Sequence, residues 1–265
     1  MKSLLIPFLL ASTFVLAQGG RGGPPQPPKA GREAAPVDLT GNWVSVVTED
    51  YRWRMVTPLK GDAAGIPYRS SSRALIDSWD PAKDEAAGMQ CKSYGAPALM
   101  RVPGRLRVTW QDENTLKIEA DAGTQTRLLH FQTGNSLATA PVGSEKSWQG
   151  FSAARWEVPT RAASGGIPGF ILGGGERVGT TSRTLHVITG NLRDGYLRKN
   201  GIPYSEQTKL TEYFDRFSEP NGDEWFTVTT IVEDPVHLAG AYITTTDFKK
   251  ERDGSKFAAA ACSAR

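Results

Sequence analysis

RLRVTWQDENTLKIEADAGTQTRLLHF, residues 105–131, decides the fold class. Leu106, Val108 and Trp110 alternate with Arg105, Arg107, Thr109 and Gln111 up to the turn Asp112-Glu113-Asn114. Leu116, Ile118 and Ala120 then alternate with Lys117 and Glu119, and Asp121-Ala122-Gly123 makes a second turn before a third segment, 124–131. Period-2 alternation is the mark of a strand with one buried face, and three such segments joined by short polar turns make an antiparallel meander. One face is apolar and the other charged, so the sheet has a dry side and a wet side.

The same alternation recurs outward from the meander. Strands are expected at 43–48, 52–57, 151–157, 184–192, 207–217, 224–232 and 241–248, giving about ten in all. Helical signals are few. Residues 71–78 can supply one or two turns. Asp80 as cap, Pro81 in the first turn and Gly88 as the stop mark one short helix that leads to Cys91. Antiparallel strands with one or two short helices predict a mainly β domain, a closed barrel or a sandwich, the two arrangements that manage exposed strand edges.

Residues 1–17 hold Lys2, an apolar run from Leu4 to Leu16 and a small-residue end at Ala17, the pattern of a secretory signal peptide. That run is shorter than the roughly 20 residues a spanning helix needs, so no membrane span is expected. Residues 18–37, rich in Gly, Pro and Gln, lack the apolar surface to offset their ordering entropy and read as a disordered linker. One domain, 38–265, follows, interrupted by a Gly-rich insertion at 158–183. That insertion has neither the strand before it nor the helix after it that a phosphate-cradling loop requires. The formal net charge is +3, with both signs interleaved and no basic stripe, so a nucleic-acid partner is not expected. Two cysteines, Cys91 and Cys262, in an oxidising compartment read as a structural disulfide. Closing so long a loop stabilises by about 4–5 kcal/mol on the chain-entropy account.

The run Leu39-Thr40-Gly41-Asn42-Trp43 resembles the Gly-x-Trp opening strand of lipocalin-like (calycin) barrels. Further along, Cys91, Gly95, Pro97 and Met100, then Gly150 with Trp156-Glu157, Thr184-Leu185-His186-Val187 and Gly201-Ile202-Pro203-Tyr204-Ser205 are similar to a group of exported bacterial proteins of uncharacterised function. Thr211-Glu212-Tyr213-Phe214 and Glu233-Asp234-Pro235 extend that similarity. The resemblance implies an antiparallel lipocalin-like β-barrel and carries no activity with it. The 158–183 insertion departs from the pattern and could cover a barrel mouth.

Chemistry-bearing residues are sparse. His130, His186 and His237 lack metal-ligand spacing, and neither a metal nor a cofactor is expected. His130 is a candidate general acid or base, with Glu119 or Asp121 as partner, or else a histidine hydrogen-bonded in the wall. Glu212 on an apolar face would be a base with a raised pKa, or it pairs with Arg127 and does no chemistry. Trp43, Trp53, Trp110, Trp156, Tyr213 and Trp225 fall in or beside expected strands, as the walls of a small-molecule cavity would or as ordinary core does. The leading expectation is extracytoplasmic binding of a hydrophobic or aromatic small molecule in a barrel cavity. A cofactor-free isomerase, lyase or hydrolase in the same cavity is the alternative, and an envelope interaction module with an exposed apolar patch is the third. Intact-mass analysis of the exported protein should find a chain beginning at Gln18; retention of residues 1–17 would contradict the leader reading.

Overall fold

The computed structural model describes residues 31–132, 140, 143–157 and 184–264. The leader 1–17, the first part of the linker and the insertion 158–183 lie outside the described residues. Nine strands close a barrel: β1 (Gly41–Val46), β2 (Arg105–Asp112), β3 (Thr115–Ala120), β4 (Gln125–Phe131), β5 (Phe151–Trp156), β6 (Thr184–Gly190), β9 (Lys209–Ser218), β10 (Glu224–Glu233) and β11 (Tyr242–Glu251). A separate hairpin, β7 (Gly195–Arg198) and β8 (Ile202–Tyr204), stands between β6 and β9. Around the barrel the order is β1-β11-β10-β9-β6-β5-β4-β3-β2, with β2 pairing back to β1. Every neighbouring pair is antiparallel except β4 with β5, which run parallel over three residue pairs, Leu129–Ser152, His130–Ala153 and Phe131–Ala154. This parallel seam is the shortest pairing in the wall.

The meander forms as the alternation predicts, with Leu106 opposite Ala120, Val108 opposite Ile118 and Leu116 opposite Leu129. Their side chains point inward and join Trp43, Leu185, Val187, Phe214, Phe226, Val228 and Phe248 in one buried cluster. A second cluster, including Ile76, Leu192, Ile202, Tyr204, Leu210 and Val232, fills the other end. There the barrel is capped by α2 (Arg73–Ser78), α3 (Pro81–Ala86), the 3-10 turn Gln90–Tyr94, α4 (Ala96–Leu99) and the β7–β8 hairpin. The α3 helix begins as its sequence dictates: the Asp80 side chain accepts from the Ala82 amide, and Pro81 occupies the first turn. Among the described residues there are four short α-helices and two 3-10 turns rather than one or two helices, and all lie outside the wall.

Two expectations are corrected. Residues 52–57 are not a strand: α1 (Tyr51–Arg54) and a loop take their place, because Asp50 sits in the left-handed region at φ 55° and breaks the extended run. Arg52 and Trp53 of that helix both bind the Asp62 carboxylate, which no extended register would allow. The linker also ends earlier than residue 37. The Gly31 amide donates to Asn114 Oδ1, the Arg32 amide to the Glu113 carbonyl, and Trp156 Nε1 to the Gly31 carbonyl at 2.7 Å. Backbone hydrogen bonds hold this segment, and a count of apolar residues does not register them. Glycine is required at 31, where a Cβ would stand 2.3 Å from the Phe131 ring.

Between the two apolar clusters, along the inward face of β9, Glu212 lies between Leu210 and Phe214. Arg127 reaches it from β4, passing beneath β5 and β6. Both guanidinium Nη atoms meet both carboxylate oxygens, at 3.1 and 2.6 Å, and neither side chain is exposed. Arg127 Nη2 also lies 3.3 Å from the hydroxyls of Ser152 on β5 and Thr189 on β6, which bond to each other at 2.7 Å. One fork thus ties four neighbouring strands together behind the seam. Removing either partner leaves a buried charge unpaired, so Arg127→Met or Glu212→Gln should each cost about 3–5 kcal/mol, whereas the double change Arg127→Met/Glu212→Leu should recover most of the loss. Urea unfolding of the three variants measures this; single-variant losses well under 1 kcal/mol would remove the clamp from the account of the fold.

Candidate functional site

The sequence between β1 and β2, the β7–β8 hairpin and the C-terminal tail together enclose a recess of about 260 Å³ on the flank of the capped end. Its floor is Tyr94, Ala98, Val102 and Leu197, and its rim is Trp53, Met55 and Val56. The tail residues Ala260 and Ala261 and the turn residues Ala122 and Gly123 make the far wall. Cys262 is bonded to Cys91, so the expected disulfide is formed. It works with the Ala260 amide, which donates to the Asp121 carbonyl at 2.9 Å, to hold the tail in place as a wall. Gly123 adopts φ 74°, and a Cβ there would stand 2.4 Å from the Tyr94 ring, so only glycine lets the turn approach that floor.

Four cationic side chains, Arg54, Arg101, Arg198 and Lys199, line the recess, and none of its lining residues is a carboxylate. Two of the four are neutralised from behind: Arg54 Nη1 binds Glu49 at 2.7 Å and Arg101 Nη2 binds Asp50 at 2.5 Å. Arg198 and Lys199 have no ion-pair partner among the described residues; they lie instead over aromatic faces, Arg198 4.8 Å from the Trp53 ring centroid and Lys199 5.4 Å from that of Tyr94. Hydrogen-bonding capacity is left over. Arg54 Nη2 and Arg198 Nε are buried without a partner, and an unsatisfied buried donor costs about 1–3 kcal/mol. Burial first, and the neighbouring Arg101 second, hold the Arg54 guanidinium below the ordinary arginine range. An anion in the recess would be met by a surplus of positive charge, since the lining carries four cations and no carboxylate.

The aromatic residues singled out in the sequence separate into several places. Trp53 is at the recess. Trp43 is fully buried in the barrel core, its Nε1 donating to the Leu39 carbonyl and its ring set edge-on to Phe226. Trp110 and Trp156 flank Phe131 at the opposite mouth, with centroids 5.2 and 5.4 Å from its ring, beneath the segment that begins at Gly31. Tyr213 stacks on His186 on the outer wall, where Lys249 also covers Trp225. A wider, shallower recess of about 400 Å³ beside Trp110 is lined mainly by residues 32–40 and has a single aromatic wall.

The two candidate acid–base residues are placed apart from the recess and from each other. Glu212 has both oxygens engaged by Arg127, the ion-paired alternative. His130 faces outward, stacked on Phe151 at 4.9 Å. The carboxylate acting on it is Asp112; Glu119 stands opposite Thr126, and Asp121 accepts from the Arg105 and Ala122 amides. Tyr94, Arg54, Arg101, Arg198 and Lys199 were not singled out in the sequence. Reading 52–57 as a strand hid the Arg52-Trp53-Arg54 triplet, whose alternation of cation and aromatic was the available signal. No family model, no curated protein and no solved structure matches the chain.

Burial lowers the pKa of both His130 and His186 from the ordinary 6.5, with Arg155 adding to the effect at His186. Below pH 6.5 the unfolded chain therefore takes up protons before the native one, so these two groups lower stability as pH falls through that range and contribute no slope above it. Urea midpoints from pH 7.5 down to 5 should show this decline, and His130→Gln/His186→Gln should flatten it.

Proposed function

We propose that the protein binds a small amphipathic anion, a carboxylate or similar group on an apolar or aromatic body, in the recess walled by Trp53 and Tyr94. The single observation that carries this reading is that four cationic side chains and no carboxylate line one recess whose walls include Trp53 and Tyr94. The aromatic and aliphatic walls supply the apolar contact and the guanidinium groups supply charge-assisted hydrogen bonds. A volume of about 260 Å³ is just below the roughly 300 Å³ at which pockets for drug-sized ligands begin, which suits a small ligand.

The class of ligand expected from the aromatic-rich strands is kept, with charge added. Its place shifts from the barrel interior to the flank, since inward positions are taken by the two apolar clusters and the Arg127–Glu212 pair. The ionisable side chains that line the recess are three arginines, Lys199 and Tyr94, a set suited to holding an anion. The formed disulfide is consistent with an oxidising, extracytoplasmic location. Kinship with the lipocalin-like exported group is part of the same reading and rests on the residues quoted for it.

Calorimetry and tryptophan fluorescence with soluble aromatic and medium-chain carboxylates, each beside its neutral amide, test the proposal. The carboxylates should bind and the amides should not. Trp53→Phe should abolish most of the fluorescence response, and Arg198→Ala should weaken binding about tenfold or more with the circular dichroism spectrum unchanged. Equal response to acid and amide, or none to either, would overturn it.

A further inference from the structure

The large apolar side chains that the protein leaves in water are not evenly spread. Tyr51 and Val56 are each 61 % exposed, Met55 49 % and Leu59 80 %, all within nine residues of chain. Isolated exposed apolar residues are ordinary, but a contiguous group marks a contact surface. Here the group is built rather than frayed. Asp62 accepts from both Arg52 and Trp53, its amide donates to the Leu59 carbonyl at 3.0 Å, and Asn200 Nδ2 donates to the carbonyls of Leu59 and Asp62. The turn carrying Leu59 is thus fastened against α1; Tyr51 and Met55, four residues apart across that helix and its cap, share a face, and Met55 and Val56 are also the rim of the recess.

The charges around this 51–59 ridge have one net sign. Four acids beside it are engaged by arginines, Glu49 by Arg54, Asp50 by Arg101, Asp62 by Arg52 and Asp77 by Arg73, while Asp247, which also acts on Arg54, accepts from the Thr227 hydroxyl. Lys60, next to Leu59, is exposed, and Lys199, across the recess, is half-buried; neither has such a partner among the described residues. Protruding apolar side chains beside the exposed Lys60 and the half-buried Lys199 are complementary to an anionic lipid surface, whose headgroups take the ammonium groups while its acyl boundary takes the apolar tips.

We infer that the 51–59 ridge seats the protein on anionic lipid bilayers, with the rim of the recess at the lipid boundary. The seat stands on exposure and charge and does not require the recess to bind a ligand.

Co-sedimentation of the exported protein with vesicles of phosphatidylcholine alone, or of phosphatidylcholine and phosphatidylglycerol in equal parts, tests it. The protein should pellet with the anionic vesicles and stay in solution with the neutral ones. Raising the ionic strength to about 1 M, where charges are screened beyond about 3 Å, should release it. Tyr51→Ser/Leu59→Ser should weaken partition about tenfold, and Lys60→Gln about fivefold. Neither change touches the recess lining, so the carboxylate response in vesicle-free solution should match the parent chain; losing that response in the parent chain would defeat the binding proposal and leave this one standing. Equal pelleting with both vesicles, no pelleting with either, or full pelleting of the serine variant would overturn the inference. So would a parent dimer, seen by light scattering, that the serine variant dissociates, because the ridge would then be a self-contact.

Discussion

The Arg127–Glu212 fork carries the constraint on which the rest of the barrel depends. A nine-stranded wall closes only if every edge is paired, and here the closure includes a parallel junction of three residue pairs. Backbone hydrogen bonds alone make that junction the weakest part of the wall. The fork sits directly behind it and joins side chains of β4, β5, β6 and β9 through one guanidinium. Ionic groups this deeply buried are costly to desolvate, and the fork offsets much of that cost through two charged contacts and two hydroxyl contacts. The geometry also divides the interior: apolar residues pack on one side around Phe226 and on the other around Tyr204, so each end of the barrel has its own core.

The capped end follows from that division. Because its core is completed by elements outside the wall, the chain after β1 must travel around that end before returning as β2, and the hairpin after β6 must fold onto it. Those excursions bring Arg54, Arg101, Arg198 and Lys199 together although they are far apart in the sequence. The recess is thus a by-product of capping, with a wall made by the C-terminal tail. A ligand there would contact no inward-facing barrel position, so the stability of the wall and the chemistry of the recess can vary independently.

Much of the barrel was legible in the sequence, and the recess mostly was not. Residues 105–131 have a clean two-residue period because each strand of the meander has one wet face, and the Asp80-Pro81 start of α3 follows local rules alone. Cys91 and Cys262 could be paired because there were no others to choose between. The short β7 and β8 carry too few residues to display a period. The α1 segment alternates like a strand, yet contacts with Asp62 and Arg101, remote from it in sequence or fold, decide its shape. Tryptophans at 43, 110 and 225 were equally apparent in the sequence, but whether each packs in the core, at the mouth or under a lysine depends on strand pairings that composition does not encode. Arg127 was named as a partner for Glu212 from chemistry alone; only the barrel order shows that it must cross two strands to get there.

The position of the disulfide has a mechanical consequence. Cys91 and Cys262 close a covalent ring that contains β2 through β11, and β1 is the one described barrel strand left outside it. β1 is held between β2 and β11 by backbone ladders and by the burial of Trp43. A pull applied at the N-terminus therefore loads the bonds of Gly31 and Arg32 to residues 113, 114 and 156 and then those two ladders, but no covalent cross-link, while the ring behind them cannot lengthen. Once the 31–32 contacts part, the protein should yield by releasing a single strand, leaving a slot between β2 and β11 into which the same strand, or that of a neighbouring copy, can return.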